Sequence, residues 1–450
     1  MTTTVDVIVI GTGTAAQNVA YTCRASGWSV AVVDSRPFGG TCQLRGCDPK
    51  KVLVGVAELV DWSRRLQDKG ISAPGLSIKW PDMMRFKRTF TDPVPEQTEH
   101  SFTEAGIIVR HGRARFVDRT AVQVGDDTLV GQHVVIATGA RHASLGIPGE
   151  EYLITSTQFL ELDNLPPRVV FVGGGYIAFE FAHIAARAGA VVQILHRGAR
   201  PLNKFDPDLV SQLVQATRDL GVEVHLNTAV TAIESRGDHV LVHAQTGVQE
   251  HTIEADLVIH AAGRVPEIDD LELEEAGIAR QKDGVSVNAY LQSVTNPAVY
   301  AAGDSVASGG FPLTPVAGMQ GDIVARNLLE GNQYTPNYTG IPSVVFTTPP
   351  LARVGLDEDA AHARGLRFRT HHEDTSGWYS SRRVAMPHTG FKVLIEEDTE
   401  RLLGAHLLGL HAEEVINLFA LAIRTGLRAT DLKQMVYAYP TSASDVSYMV

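Results

Sequence analysis

One pattern constrains this chain more than any other: a buried strand, a glycine turn and a helix, occurring twice. In the first copy the strand Val7 to Ile10 runs into Gly11-Thr-Gly13-Thr-Ala-Ala16 and then a helical stretch. Gly11 permits the tight turn, Gly13 lets the backbone approach a pyrophosphate, and Ala16 allows close helix-on-strand packing. The helix start then turns free N–H groups and a positive dipole end toward the phosphates. A second strand, Val30 to Val33, ends in Asp34. Its spacing from Gly11 is the one at which an acid suits a ribose 2′-hydroxyl.

The second copy repeats the fingerprint with Gly173, Gly175 and Ala178, and reads as an internal duplication. Its next strand, Val191 to Leu195, ends at His196, at the same spacing from Gly173 as Asp34 has from Gly11. Where the first copy has an acid, this one has His196 and Arg197, with Arg200 and Lys204 close behind. Basic groups there fit a 2′-phosphate, so NADPH is expected rather than NADH. A lone glycine turn is often only a turn. Two turns in strand–turn–helix–strand context predict two bound dinucleotides.

At about 150 residues per domain, 450 residues predict three domains. Lys plus Arg total 39 against 51 Asp plus Glu, a net charge of −12, which argues against broad binding to nucleic acid or anionic membrane. No apolar run reaches the ~18 residues of a membrane span. The first strand starts without a basic, apolar leader, so a cytoplasmic location is expected.

Cysteines are scarce: Cys23, Cys42 and Cys47. Three cannot build a disulfide framework or a multi-cysteine zinc site. Cys23 shares a helical face with Ala16, Val19 and Ala20, which reads as core. Cys42 and Cys47 lie in Gly39-Gly40-Thr41-Cys42-Gln-Leu-Arg-Gly-Cys47-Asp-Pro-Lys50-Lys51, directly after the first nucleotide unit. The pair is either two structural thiols or a redox couple, and a cytosolic disulfide is usually catalytic or redox-sensing. The adjacent His371 and His372 read as a solvated loop, because no third metal ligand is evident.

With these residues in hand, the chain resembles the class I pyridine nucleotide-disulfide oxidoreductases, which include glutathione reductase, lipoamide dehydrogenase and mercuric reductase. The resemblance rests on the cysteine motif, on Ala137-Thr138-Gly139, on the second turn Gly173 to Glu180, on Ala262-Gly263-Arg264-Val265-Pro266, on Ala302-Gly303-Asp304 with Leu313-Thr314-Pro315, and on Val345 to Pro350. It implies an α/β fold with two Rossmann-like dinucleotide-binding domains and a C-terminal α+β dimerisation domain. The implied division is an FAD domain at 1–145 and 265–335, an NAD(P)H domain at 146–264 and an interface domain at 336–450. FAD would contact Gly11, Gly13, Ala16, Asp34, Gly40, Thr41, Ala114, Thr138, Gly139, Arg264, Asp304 and Thr314. NADPH would contact Gly173, Gly175, Tyr176, Ala178, His196, Arg197, Arg200 and Gly263. The resemblance makes Cys42–Cys47 a redox-active disulfide, with Cys47 against the flavin and Cys42 facing a small-molecule substrate. Lys50 or Lys51 would approach the flavin, paired with Glu180. A homodimer is implied.

One segment departs from the pattern. Disulfide-reducing relatives carry a C-terminal His-Pro-Thr-x-x-Glu whose histidine moves the proton of the interchange thiol. Here it reads Tyr439-Pro440-Thr441-Ser442-Ala443-Ser444. A phenol near ~10 is a poor base at neutral pH, whereas imidazole near ~6.5 is well placed. Mercuric reductases similarly place tyrosine there, and reducing a thiolate-bound soft metal needs ligands more than a shuttle. No cysteine follows Cys47 and none precedes the first strand, so no hand-over of mercury from a cysteine tail is expected. Three readings follow: a reductase of a soft metal ion, quinone-like acceptor or unusual thiol electrophile; a low-molecular-weight disulfide reductase; and a flavin redox sensor with residual turnover.

Overall fold

The computed structural model describes residues 1–450, and the chain divides into two compact units. The first comprises Met1–Lys50, Arg85–Ala143 and Arg264–Tyr338. Its centre is a seven-stranded sheet on β1 (Thr2–Ile10). On one side lie β2 (Val30–Asp34) and then Ile108–His111, both parallel to it. On the other side Asp127–Ile136 pairs parallel to β1, continues into an antiparallel meander, and also pairs with Val299–Ala301. β1 alternates little and is buried along its C-terminal half, as a strand covered on both faces must be.

Register decides where the motifs go. Ile10 lies opposite Ile136, and Ile136 opposite Ala301. Three strands therefore end level, and three turns leave the sheet side by side: Gly11, Ala137-Thr138-Gly139 and Ala302-Gly303-Asp304. In open α/β sheets ligands bind outside this carboxyl edge. Helix α1 (Thr14–Ala25) packs its Ala15, Ala16, Val19, Ala20 and Cys23 stripe into the core. Cys23 is fully buried, and burial pushes its thiol up to about 12, so it is an inert core thiol.

The second unit comprises Lys51–Met84, Ser144–Gly263 and Thr339–Val450. It contains a four-stranded parallel sheet in the order 223–225, 191–195, 168–172, 257–260. Helix Tyr176–Arg187 packs on it through Ala178, Phe179, Ala182 and Ala185. Beside it lies a three-stranded antiparallel sheet over residues 228–255. A separate five-stranded antiparallel sheet, in the order 343–345, 351–355, 402–408, 390–396, 368–374, carries helix Ala412–Thr425 on one face. No helix of the chain is long and apolar enough to cross a membrane.

Two histidines need correction. His371 and His372 lie not in a loop but on the edge strand Phe368–Asp374, paired with Val393 and Lys392. Neighbours on a strand point to opposite faces, so the two imidazoles cannot close on one ion. His371 bonds to the Met449 carbonyl at 3.1 Å and to Glu373 at 3.0 Å. A clustered acidic trio nearby, Asp206, Asp208 and Glu358, closes on the buried Lys392 ammonium, 2.9 Å from Asp206 and 2.9 Å from Glu358.

Candidate active site

The first glycine turn is built as the sequence requires. Gly11 sits at φ +117, and a Cβ there would stand 2.3 Å from the Ala137 carbonyl oxygen. Gly13 is the extended N-cap of α1, with no side chain bonded to the first helical amides. Those amides are left facing outward for an anion. Asp34 is aimed by two bonds: the Thr12 hydroxyl donates to one oxygen at 2.7 Å, and the Arg36 amide to the other at 3.0 Å. The buried Thr12 also accepts from the Gly39 amide at 3.2 Å, tying the start of the cysteine segment to the nucleotide turn. This bridging threonine was not singled out from the sequence; its position between the two turn glycines was the available signal.

That tie brings the cysteine segment directly onto the turn. Helix α2 (Gly40–Arg45) begins at a residue with φ +72, and a Cβ on Gly40 would stand 2.4 Å from the Gly13 Cα. Backbone meets backbone, which only glycine allows. Cys42 lies on α2, and Cys47 opens α3 (Cys47–Arg65). Both are free thiols here, Cys47 exposed and Cys42 partly so. The Thr314 hydroxyl lies 3.5 Å from the Cys47 sulfur, and the Cys42 thiol donates to Asp48 at 3.8 Å.

The two sulfurs are not equivalent. The hydrogen bond with Cys42 first, then Thr314 and the Lys50 charge, hold Cys47 down to about 6, against burial and the Asp48 charge. Cys42 is driven the other way, by its bond to Cys47, by burial and by the charges of Cys47 and Asp48. Of the two, Cys47 is therefore the thiol that gives up its proton first, and Cys42 the one that keeps it. The helix start beneath Cys47 favours its thiolate further.

The other residues expected at this site are placed as follows. Thr138 buries its hydroxyl oxygen with no partner. Gly139 has φ +73. The Arg264 guanidinium donates to the Ala140 carbonyl at 2.7 Å and reaches Asp304 at 3.4 Å. Burial raises Asp304, and Arg264 opposes the shift. Ala114 is buried on the strand Ala114–Phe116.

The second turn repeats the first. Gly173 has φ +125, its Cβ position lies 2.2 Å from the Ala261 oxygen, and Gly175 is the extended, uncapped start of helix Tyr176–Arg187. Ala178 is fully buried, Gly263 has φ +117 with open space around it, and Tyr176 is half exposed. The His196 ring lies across Gly174, where a Cβ would stand 2.6 Å from it, and its Nε2 donates to the Arg200 carbonyl at 3.0 Å. Arg197 and Arg200 are exposed. Glu180 is buried and accepts from the Phe346 amide at 2.8 Å. Lys51 lies over the Phe346 ring at 4.6 Å and 3.9 Å from Glu58, whereas Lys50 is buried and its charge acts on Cys47. Tyr439 is 78% exposed.

The family model described as pyridine nucleotide-disulphide oxidoreductase matches residues 5–321, and that family's dimerisation-domain model matches 341–450. The chain belongs to the pyridine nucleotide-disulphide oxidoreductase family. Like other members it is a flavin-dependent NAD(P)H oxidoreductase. It is 30% identical to a dihydrolipoyl dehydrogenase of Chlamydia muridarum, over 97% of this chain and 94% of that one. It is 31% identical to a mercuric reductase of Staphylococcus aureus, over 97% of this chain and 80% of that one. Among solved structures, a Cu(II) complex of the HOCl-induced flavoprotein disulfide reductase RclA from Escherichia coli superposes with a TM-score of 0.88 at 27% identity, covering 99% of both chains. The first turn fits the family's flavin: an uncapped helix start for a pyrophosphate, an oriented Asp34, and the unpartnered Thr138 hydroxyl.

Proposed function

We propose that this chain is an NADPH-dependent reductase whose Cys42–Cys47 couple delivers two electrons to a soft electrophile. A soft metal ion comes first, with a quinone-like acceptor or an unusual thiol adduct as the remaining members of that class. The observation that carries the reading is a pair of accessible thiols, Cys42 and Cys47, with Thr314 beside Cys47, in a chain with Tyr439 where disulfide-reducing relatives have a base. A soft cation is captured by thiolates and needs no imidazole. The S. aureus mercuric reductase and the Cu(II)-bound RclA support this class of acceptor.

In this reading the FAD contacts are those of the first turn, with Gly11, Gly13, Ala16, Asp34, Gly40, Thr41, Thr138, Gly139, Arg264, Asp304 and Thr314 around the cofactor. FAD held by these residues would supply the two-electron chemistry between a nicotinamide and the dithiol. The chain's own residues do the rest. Thr314 and Lys50 hold the charge on Cys47, and Cys42 meets the acceptor. Of the two lysines, Lys50 is the one assigned here, since its charge already acts on Cys47. Tyr176 covers the nicotinamide pocket. Residues 146–264 form the NADPH domain and 336–450 the interface of a cytoplasmic homodimer. The exposed Leu421, Met435, Val436 and Tyr439 are apolar surface that a second copy would cover.

For the 2′-phosphate, Arg197 and Arg200 carry the charge while His196 shapes their loop across Gly174. Replacing both arginines by alanine raises the KM for NADPH about a hundredfold or more and leaves NADH unchanged, since charged hydrogen bonds are worth about 1.5–3 kcal/mol each. Steady-state assays with each coenzyme check this. The acceptor class is tested by a screen of mercuric ion, cupric ion, quinones and disulfides with NADPH. Rapid turnover of a soft ion is expected. Inactivity toward all soft ions, quinones and thiol adducts sinks the reading.

A further inference from the structure

Arg45 is a half-buried cation without a partner. It ends α2, one helical turn after Thr41, so the two side chains share a face. That helix is pressed onto the first glycine turn through Gly40 and Gly13. The Arg45 guanidinium makes no hydrogen bond or ion pair with any group of the chain. The charges around it are Arg36, Asp34, Glu267 and Arg264. The other two arginines are already bound: Arg36 donates to Glu267, and Arg264 to the Ala140 carbonyl at 2.7 Å and to Asp304 at 3.4 Å. Asp34 is taken by the Thr12 hydroxyl and the Arg36 amide. Burial first, and then the Arg36 charge, work against the Arg45 proton. The fixed charges that act on the two sulfurs are Lys50 and Asp48, so Arg45 serves neither thiol. A cation in a last helical turn complements the helix dipole, which is the ordinary reason to find one there. The dipole does not account for a guanidinium drawn in beside two others.

We propose that Arg45 binds the diphosphate of FAD, adding a side-chain cation to the uncapped start of α1 at the first turn. The inference rests on the assignment of FAD to that turn. The α1 amides attract an anion but bring only a partial charge, about half an elementary charge at a helix start. A diphosphate brings full negative charges. A guanidinium answers them with a full positive one, and its planar fork of N–H donors matches phosphate oxygens in pairs. An anion held there also relieves the crowding of Arg36, Arg45 and Arg264. The contact ties the cofactor to the short helix that carries Cys42.

The test uses full-length holoenzyme and follows flavin fluorescence as FAD is released on dilution. Arg45→Met keeps an unbranched side chain without its charge and speeds release about 10- to 100-fold, the scale of one lost charged hydrogen bond. Arg45→Lys, a point charge without the paired donors, recovers part of that loss. Raising salt from about 0.1 M to about 1 M, which shortens the screening length from about 10 Å to about 3 Å, speeds release from wild type more than from Arg45→Met. ADP and adenosine separate the diphosphate from the adenosine. On the deflavinated full-length protein, ADP blocks FAD rebinding in wild type and needs about a tenfold or greater excess to do so in Arg45→Met, whereas adenosine acts equally on both. Should the methionine variant fail to fold, Arg45→Gln, polar and uncharged, replaces it. The proposal is overturned if the Met or Gln variant releases FAD at the wild-type rate, if Arg45→Lys releases it as fast as Arg45→Met, or if adenosine is weakened as much as ADP. If Gly11→Ala keeps its flavin, the assignment of FAD to the first turn itself fails. Flavin lost from Gly11→Ala but held normally by Arg45→Met removes only this inference.

Discussion

Replacing Gly11 by alanine releases the flavin, and replacing Gly173 by alanine spares the flavin but cripples use of the nicotinamide. Both glycines hold positive φ, +117 and +125, and both face a carbonyl oxygen too close for a methyl group, at 2.3 Å and 2.2 Å. Left-handed strain of about 1–2 kcal/mol and a forced backbone shift of about 1–3 kcal/mol together come to about 3 kcal/mol at each turn, roughly 10²-fold in affinity. The substitutions are the same and the clashes are alike, so a general loss of stability would look the same in both. Different outcomes are expected on the proposed assignment of FAD to the first turn and NADPH to the second. Gly11→Ala purifies with little bound flavin. Gly173→Ala purifies yellow, with its KM for NADPH raised about 10²-fold. Absorbance of the purified proteins and steady-state kinetics distinguish them, and equal flavin loss in both variants would count against the assignment.

The second large effect concerns the sulfurs. Cys42→Ser lowers turnover of the preferred acceptor by about 10³-fold or more, as removal of an attacking nucleophile does, while NADPH still bleaches the flavin. Cys47→Ser lowers acceptor turnover as much, but for another reason. It removes the thiolate that Thr314 and Lys50 stabilise, so Cys42 has no partner with which to close a disulfide. Single-turnover reduction and reoxidation, measured separately, give the two variants the same loss in reoxidation. Substantial acceptor turnover in either serine variant would place the chemistry elsewhere.

Much of this was legible in the sequence because the constraint is steric. Only glycine fits where Gly40 meets Gly13 backbone to backbone, and only small residues fit at Ala16 and Ala178, so the fingerprints could be read without coordinates. The strand Val191–Leu195 and the buried Cys23 were legible for a related reason, since apolar runs and helical stripes reflect burial. What could not be read depends on register or side-chain direction. The level ends of Ile10, Ile136 and Ala301 bring together three motifs that lie far apart along the chain. Thr12 looks like any residue between two glycines until its hydroxyl bridges Asp34 and Gly39. His196 read as a cation for phosphate, yet its ring is drawn across Gly174. His371 and His372 read as a loop because alternation on an edge strand is weak when both faces carry polar groups.

Anaerobic titration of the purified flavoprotein with NADPH, repeated from pH 8 to pH 5, tests the central claim most directly. Cys47 is held down to about 6, so its thiolate is present above that pH and is lost below it. Two-electron reduction at pH 8 should raise a long-wavelength thiolate-to-flavin band. That band should fade as the pH falls through about 6 and be absent in Cys47→Ser. Bleaching of the flavin with no long-wavelength band at any pH would contradict the account.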